Sequence, residues 1–96
     1  MYVKLHRHGD DRILAACDAE LLGRTFRGDG TRITVSESFY GGEKVDAAVL
    51  IERMKSVSII NLVGERVIMI AVAEGLVHDD CVMDIGGVKH AQVVIL

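Results

Sequence analysis

The chain has 96 residues, half of them hydrophobic, and carries a net charge of -3 with only four aromatic side chains. This length suits one domain, residues 1–96, and the apolar content excludes a disordered protein. No apolar run approaches the roughly 18 residues of a transmembrane helix, and the charged start at Lys4 is unlike a signal peptide. We therefore expect a cytoplasmic protein with no membrane interaction.

The scarcity of Asn, Gln and Cys side chains gives information about the source organism and the cellular compartment. Asn61 and Gln92 are the chain's sole Asn and Gln, a composition typical of thermophiles. Cys17 and Cys81 form neither a CxxC motif nor a disulfide framework, so the sequence favours two small buried hydrophobes. Their pairing stays open, because intracellular disulfides do occur in hyperthermophiles.

Charge is spread thinly along the chain. There is no run of lysine and arginine, so bulk charge gives no support for nucleic-acid binding, and DNA is the less favoured nucleic acid. A local basic patch could still form if the fold gathers five residues: Arg24, Arg27, Arg32, His6 and His8.

The first quarter of the chain predicts a β-hairpin followed by a short helix. Residues 2–7 alternate between apolar and polar, and residues 12–17 are apolar on both faces, with a turn at 8–11 between them. Asp18 is expected to be the N-cap of a helix over residues 19–24.

The middle of the chain predicts a strand, a loop and a helix. Residues 31–36 alternate and indicate a strand, and a loop is expected at 37–44. Residues 57–60 are either a short strand or an extended connector. The helix is predicted over 46–55 from an apolar stripe formed by Ala47, Leu50, Ile51 and Met54.

The last third predicts a buried helix and a second hairpin. Asn61 is expected to be the N-cap of a helix over 62–74, which is apolar nearly all round, with Gly75 as its C′ residue. The hairpin pairs residues 81–85 with 88–95.

Two glycines, Gly86 and Gly87, suit the two-residue turn of that hairpin. This register places Asp84 opposite Lys89, and Met83 opposite His90. The element order predicts an α+β fold. Its mostly antiparallel sheet is built from two β-hairpins plus a middle strand, and is covered by two main helices and one short helix.

Four sequence blocks resemble a known family. They are CDAELLG at 17–23, FYGG at 39–42, NLVGER at 61–66 and GGVKHAQ at 86–92. They are similar to an archaeal domain-of-unknown-function family, numbered four hundred and twenty-four, over essentially the whole chain. The resemblance implies an archaeal, cytoplasmic, single-domain protein and implies no activity.

The strongest candidate binding segment is the loop at 39–43. Two of the four aromatics lie there and are followed by paired glycines, a combination that can stack on a base or anchor a partner. In the structural alternative, the phenylalanine fills the edge of the core and the glycines only make the turn. The candidate residues are Phe39, Tyr40, Gly41, Gly42 and Glu43.

Two further pairs are candidate binding residues. Asn61 and Gly64 begin the predicted helix, where open amides can bind an anion, although close packing of Gly64 would explain it equally. His90 and Gln92 share one face of the last strand and need polar partners, either inside the fold or in a ligand.

A metal site at the start of the chain is a weak hypothesis. His6 and His8 are two residues apart on a strand and project to one face, as in some zinc sites. A metal would need further ligands from Asp10, Asp11 or His90, so we predict neither a metal nor a cofactor.

Catalytic arrangements are also weak. Asp18 and Glu20 could act as an acid–base pair, but both suit the start of a helix. A nucleophile at Cys17 activated by His90 would need an exposed, electropositive thiol, whereas this cysteine lies in an apolar strand. No catalytic residue is predicted.

The leading hypothesis is a non-enzymatic archaeal interaction module. It would bind a protein or RNA partner through the 39–43 loop and the face of His90 and Gln92, with its oligomeric state left open. The alternative is a small enzyme or ligand-binding protein with a polar pocket around Asp18, Glu20, His90 and Gln92.

Overall fold

Eight strands and three helices form an α+β fold in the computed structural model, which describes residues 1–95. The strands are β1 (Tyr2–His8), β2 (Asp11–Cys17), β3 (Thr25–Gly28), β4 (Thr31–Thr34), β5 (Glu43–Lys44), β6 (Ile59–Val63), β7 (Met83–Ile85) and β8 (Val88–Val94). The helices are α1 (Glu37–Tyr40), α2 (Ala47–Met54) and α3 (Glu65–Ala73), with 3₁₀ turns at Ala19–Leu21 and Asp79–Cys81. Within residues 1–95, the helices are too short and polar to cross a membrane. The predicted fold class is confirmed.

Six strands form one mostly antiparallel sheet in the order β5-β1-β2-β6-β8-β7, while β3 and β4 form a separate two-stranded ribbon. The contact between β2 and β6 is the parallel one. Both predicted hairpins are confirmed, and in the second Asp84 pairs with Lys89 and Met83 with His90. The strand predicted at 31–36 belongs to the ribbon, so β6 and β2 take the middle of the sheet instead.

One face of the main sheet packs against α2 and α3. The buried residues of this first core include Val3, Leu14, Ala16, Leu50, Met54, Ile60, Leu62, Val67, Ile68, Ala71 and Ala91. Burying an aliphatic side chain of this size stabilises the fold by about 1.5–3 kcal/mol relative to leaving it exposed. This core therefore holds both main helices against the sheet.

The opposite face of the sheet carries a second, smaller core. Its buried residues are Ala15, Cys17, Leu21, Val35, Tyr40, Val63 and Val88. Phe26 and Ile33 of the ribbon pack against it. The ribbon and α1 therefore cover this face, but only at the end of the sheet where β2 and β6 finish.

The helix predicted over 46–55 is confirmed as α2. Asp46 is its N-cap, and its carboxylate accepts a hydrogen bond from the Val49 amide at 3.0 Å. Leu50 and Met54 are fully buried on the predicted stripe. The capping carboxylate and the buried stripe together explain why this short segment is helical.

The helix predicted over 62–74 is wrong at its start. Strand β6 runs through Asn61 to Val63, and α3 begins after Gly64. Asn61 is therefore a strand residue and not an N-cap. Because β6 is covered on both faces near Val63, it is apolar on both faces, and periodicity alone does not distinguish such a strand from a buried helix.

Residues 18–44 also differ from the prediction. The helix expected over 19–24 is a single 3₁₀ turn, and strand β3 follows it. The loop expected at 37–44 contains α1 and the short strand β5. Asp18 makes no side-chain capping bond to its own turn.

The predicted end of α3 is confirmed. Gly75 has φ +73°, and its amide donates to the Val72 carbonyl while the Leu76 amide donates to the Ala71 carbonyl. This pair of bonds is the Schellman motif, which needs a left-handed residue at C′. A glycine adopts that conformation without the steric cost of a side chain.

Candidate functional site

The second face of the sheet is uncovered over half its length. Along β8, Val88 is buried and His90 half-buried, while Gln92 is exposed and Val94 is 62% exposed. We name the uncovered half the open face. It comprises Lys4, His6, Ile13, Ile59, Asn61, Gln92 and Val94, which the strand register places on the side of the second core.

The register arranges the open face in two rows. Ile13 pairs with Ile59, and Ile59 pairs with Val94, which gives an aliphatic row across three strands. Beside it, Asn61 pairs with Gln92 in a row of two amides. The face thus combines half-buried aliphatic groups with neutral hydrogen-bonding groups.

A polar network joins α1 to this face. The Tyr40 hydroxyl donates a short hydrogen bond to Asn61 Oδ1, and Asn61 Nδ2 donates to Gln92 Oε1 at 3.5 Å. The tyrosine is only 3% exposed and belongs to the second core. The sequence placed Tyr40 in a loop, where its side chain would be free to contact a partner. The structure corrects this: Tyr40 is buried at the end of α1, and its hydroxyl orients the side-chain amide of Asn61.

Phe39 lies at the edge of the open face against His6. Their rings stack at 4.6 Å, and His6 Nε2 is 2.8 Å from the Phe39 carbonyl oxygen. Because a carbonyl only accepts, Nε2 carries the proton and donates this bond. His6 is thus engaged within the fold, and residues 1–95 gather no group of three potential metal ligands.

The other residues of the predicted loop have local structural contacts. A side chain at Gly42 would collide with the Val3 carbonyl, and one at Gly41 would lie 2.7 Å from the Glu37 carbonyl oxygen. Glu43 forms an ion pair with Arg53 at 2.9 Å. The glycines are required by close backbone approach, which was the alternative explanation of this loop.

Gly64 is explained by close packing of a carboxylate. It has φ +122°, and a side-chain carbon there would lie 2.7 Å from both Asp18 carboxylate oxygens. Those oxygens accept the amide hydrogens of Arg66 and Val67, each at 3.0 Å. Asp18 therefore caps α3, and the start of this helix is already occupied by an anion.

His90 finds its partner inside the fold. Its Nδ1 is 2.9 Å from the Leu62 carbonyl, so Nδ1 donates the bond. Gln92, two residues on, is exposed and joins the open face. The two residues share one face of β8, as predicted, but His90 is engaged inside the fold while Gln92 is exposed.

The alternative polar pocket exists only in part. A cavity of about 190 Å³ is lined by Asp18, Glu20, Glu65 and Lys89, among others. His90 and Gln92 are not among its lining residues. Both Asp18 carboxylate oxygens already accept backbone amide hydrogens at the start of α3, so this carboxylate has a structural role and not that of a free acid or base.

Cys17 and Tyr40 are both buried in the second core. Burial, and secondarily the Asp18 carboxylate, raises the pKa of the Cys17 thiol from 9.0 to about 11. Burial, with the neighbouring Cys17, also raises the pKa of Tyr40. A thiol with a raised pKa is a poor nucleophile at neutral pH, which disfavours the Cys17–His90 arrangement.

These shifts predict alkaline destabilisation. Above pH 9.0 the unfolded thiol loses its proton while the folded thiol keeps it up to about pH 11, so the unfolding free energy falls across this window. Below pH 9 the Cys17 thiol is protonated in both the folded and the unfolded state, so its contribution to the unfolding free energy does not change with pH. We expect denaturant unfolding of Cys17→Ala to show a shallower loss between about pH 9 and 11. An identical slope in both proteins would contradict the assignment to this thiol.

Sequence reasoning missed the aliphatic row of the open face. Nothing in the sequence singles out Ile13, Ile59 and Val94, because apolar strand residues are usually buried in the core. Their partial exposure depends on how far α1 and the ribbon extend over the sheet. The ribbon itself had a sequence signal, the Asp29-Gly30 dipeptide, which favours a hairpin turn.

Comparison with known proteins agrees with the resemblance in sequence. The structure is similar to the crystal structure of an uncharacterized conserved protein from the archaeon Methanopyrus kandleri, with a TM-score of 0.84 and 31% sequence identity. The match covers 99% of this chain and 90% of that chain. No match was found among curated proteins. The family described as "Protein of unknown function (DUF424)" matches residues 6–96, and the chain belongs to this family.

Proposed function

We propose that this chain is a non-enzymatic interaction module that binds a protein partner through the open face. The observation that supports this is the aliphatic row of Ile13, Ile59 and Val94, left uncovered on a sheet whose other half is packed. Protein interfaces combine such an apolar centre with hydrogen-bonding groups at its side, here the amides of Asn61 and Gln92.

The side chains of the open face favour protein over RNA. Its lysine, Lys4, carries too little positive charge to neutralise several phosphates. RNA-binding sheets stack bases on free aromatic rings, whereas Phe39 is already stacked on His6. The aliphatic row of the open face instead complements an apolar segment of another protein.

The proposal includes the setting of this interaction, the cytoplasm of a thermophilic archaeon. The archaeal source of the similar crystal structure supports the archaeal part. The scarcity of Asn and Gln supports the thermophile. Cys17 and Cys81 are both free thiols, which fits a reducing compartment. The expectation of two buried cysteines is wrong for Cys81, which is exposed in the 3₁₀ turn at Asp79–Cys81.

Val94→Glu tests the open face, with Met69→Glu as a matched control. Both side chains are 62% exposed, so each change adds one carboxylate at a similarly accessible site, one on the open face and one on α3. Truncating an important contact costs about 2 kcal/mol of binding or more, which is roughly a thirtyfold loss. A carboxylate facing an apolar partner should do at least as much.

The measurement is affinity capture from native lysate, with identification of the captured protein and binding of its purified form. We expect a partner that survives RNase treatment, binds Met69→Glu like the wild type, and loses Val94→Glu. A partner lost on RNase treatment would show an RNA-mediated contact and reject the proposal. Equal binding by both variants would place the contact elsewhere on the surface.

A further inference from the structure

The ribbon of β3 and β4 has two chemically different faces. Phe26 pairs with Ile33, and both pack against the second core. Side chains alternate along a strand, so the neighbouring pairs face outward. This outer face consists of two threonines and two arginines: Thr25 opposite Thr34, and Arg27 opposite Arg32.

The outer face is a local basic site on an acidic protein. Residues 24–34 hold three arginines and one aspartate, a net charge of +2, whereas the whole chain has -3. The fold thus places two arginines of the basic patch considered from sequence, Arg27 and Arg32, on one face, while Arg24 lies on the other side of the ribbon with Phe26. His6 and His8 lie on β1 in the other sheet, outside this patch.

The arrangement of Arg27 and Arg32 is unfavourable for the protein alone. Like charges directly opposite each other on paired strands destabilise the pairing. Neither guanidinium has a carboxylate within salt-bridge distance among residues 1–95. A bound anion would remove this repulsion, since arginine pairs well with phosphate oxygens.

The ribbon is held rigidly against the body of the protein. At its base, the Gly23 amide donates to the Val35 carbonyl at 2.6 Å, and the Val35 amide to the Arg24 carbonyl at 2.8 Å. At its tip, a side-chain carbon on Gly28 would lie 2.9 Å from the Gly86 amide nitrogen. The arginines therefore project from a fixed platform.

The donors on this platform match a phosphate backbone. A cavity of about 350 Å³ at the tip is lined by Arg27, Gly28, Gly30, Thr31 and Arg32. At the base, the Arg24 guanidinium lies 4.9 Å above the Phe26 ring. Arg24 therefore lies on the inner side of the ribbon, and the arginines of the outer face are Arg27 and Arg32. Guanidinium, hydroxyl and backbone amide groups are the usual protein contacts to phosphate.

We propose that the outer face of the ribbon binds the phosphodiester backbone of a single-stranded nucleic acid, independently of base sequence. The face carries no amide or aromatic side chain to read or stack on a base. Its tip packs closely against Gly86, so the ribbon is not a free arm extending from the protein. This site lies on a different element from the open face, so it does not depend on the proposed protein partner.

The test is fluorescence anisotropy with labelled single strands of oligouridine and oligothymidine of about 12 nucleotides, in salt between about 50 and 200 mM. Two phosphate contacts predict a slope of log K against log salt of about -1.4. Arg27→Gln/Arg32→Gln should reduce this slope by about 1.4 and weaken binding at the lowest salt at least tenfold. Agreement of the two strands identifies the shared backbone as the ligand, and loss of the DNA arm alone restricts it to RNA.

The matched control is Arg7→Gln/Arg12→Gln, which makes the same change in net charge. These arginines also pair across two strands, but beside Asp10 and Asp11 rather than threonines. The control should bind within about threefold of wild type. Equal weakening by the two double variants would show a global charge effect, and absence of binding by the wild type would also overturn the proposal.

Two further measurements check the ribbon site: the melting temperature of the double arginine variant, and oligonucleotide binding by Val94→Glu. Removing repulsion between Arg27 and Arg32 should leave the melting temperature equal to or above that of the wild type, so lost binding will not reflect unfolding. Val94→Glu should bind both oligonucleotides normally. Loss of oligonucleotide binding in Val94→Glu would assign the nucleic acid to the open face and overturn the ribbon site.

Discussion

Replacing Tyr40 with alanine should lower the free energy of unfolding by about 3–5 kcal/mol, the range for truncating a large buried aromatic side chain. Its ring is 3% exposed and packs edge-on against Phe39 at 5.0 Å. The substitution would leave a cavity between α1 and the sheet. It would also leave Asn61 Oδ1 without its donor.

Urea denaturation of three variants separates these contributions. Tyr40→Phe keeps the ring and removes only the hydrogen bond, so it should cost about 1 kcal/mol. Tyr2→Ala truncates a half-buried tyrosine of the same core and should cost clearly less than Tyr40→Ala. A loss below about 1 kcal/mol for Tyr40→Ala would mean that α1 is not anchored by this ring.

The hairpins were predictable because their information is local. Gly86 and Gly87 have φ of +59° and +88°, as a two-residue type I′ turn requires, and this turn sets the register of β7 and β8. The α2 helix was equally local, since Asp46 caps it and the stripe ends at Met54. The conformation of such segments depends little on contacts with the rest of the chain.

The β6 strand was recognised from its own residues only at its start, where a short strand was one of two predictions for residues 57–60. It lies between β2 and β8, and it is buried on both faces near Val63, so it lacks the alternation of a half-exposed strand. Gly64, Glu65 and Arg66 separate its hydrophobic run from that of α3, and this interruption is short enough to fit within one helix. That glycine was the available signal, but its meaning depends on Asp18, which is 46 residues earlier in the sequence.

The open face is a product of tertiary structure. Two apolar residues on the same side of β6 have different surroundings. Ile59 belongs to the open face, whereas Val63 lies under α1 and the ribbon. Sequence reasoning placed Gln92 on a candidate face because a polar strand residue needs a partner. It placed Tyr40 in the candidate loop at 39–43, but the burial of an aromatic side chain in such a segment is decided by the sheet beneath it.

Asp18→Ala should lower the free energy of unfolding by about 3 kcal/mol. The carboxylate is 3% exposed and accepts the amides of Arg66 and Val67, so its removal leaves two donors at the start of α3 without a partner. Losing an N-cap costs about 1 kcal/mol, and the buried Val67 amide, left without an acceptor, adds about 1–3 kcal/mol. The neighbouring Glu20 is exposed and makes no such contact, so Glu20→Ala should cost under about 0.5 kcal/mol.

Gly64→Ala should be comparably destabilising, because φ +122° with ψ +149° is a conformation that only glycine adopts readily. Part of its cost arises from the methyl group meeting the Asp18 carboxylate at 2.7 Å. Removing that carboxylate makes room for the methyl group, so the double variant Asp18→Ala/Gly64→Ala should lose less than the sum of the single losses, by about 1 kcal/mol. Strict additivity in urea unfolding would show that Asp18 and Gly64 act independently. A coupling of the expected sign would establish that the glycine is present to admit the carboxylate, which ties the end of β2 to the start of α3.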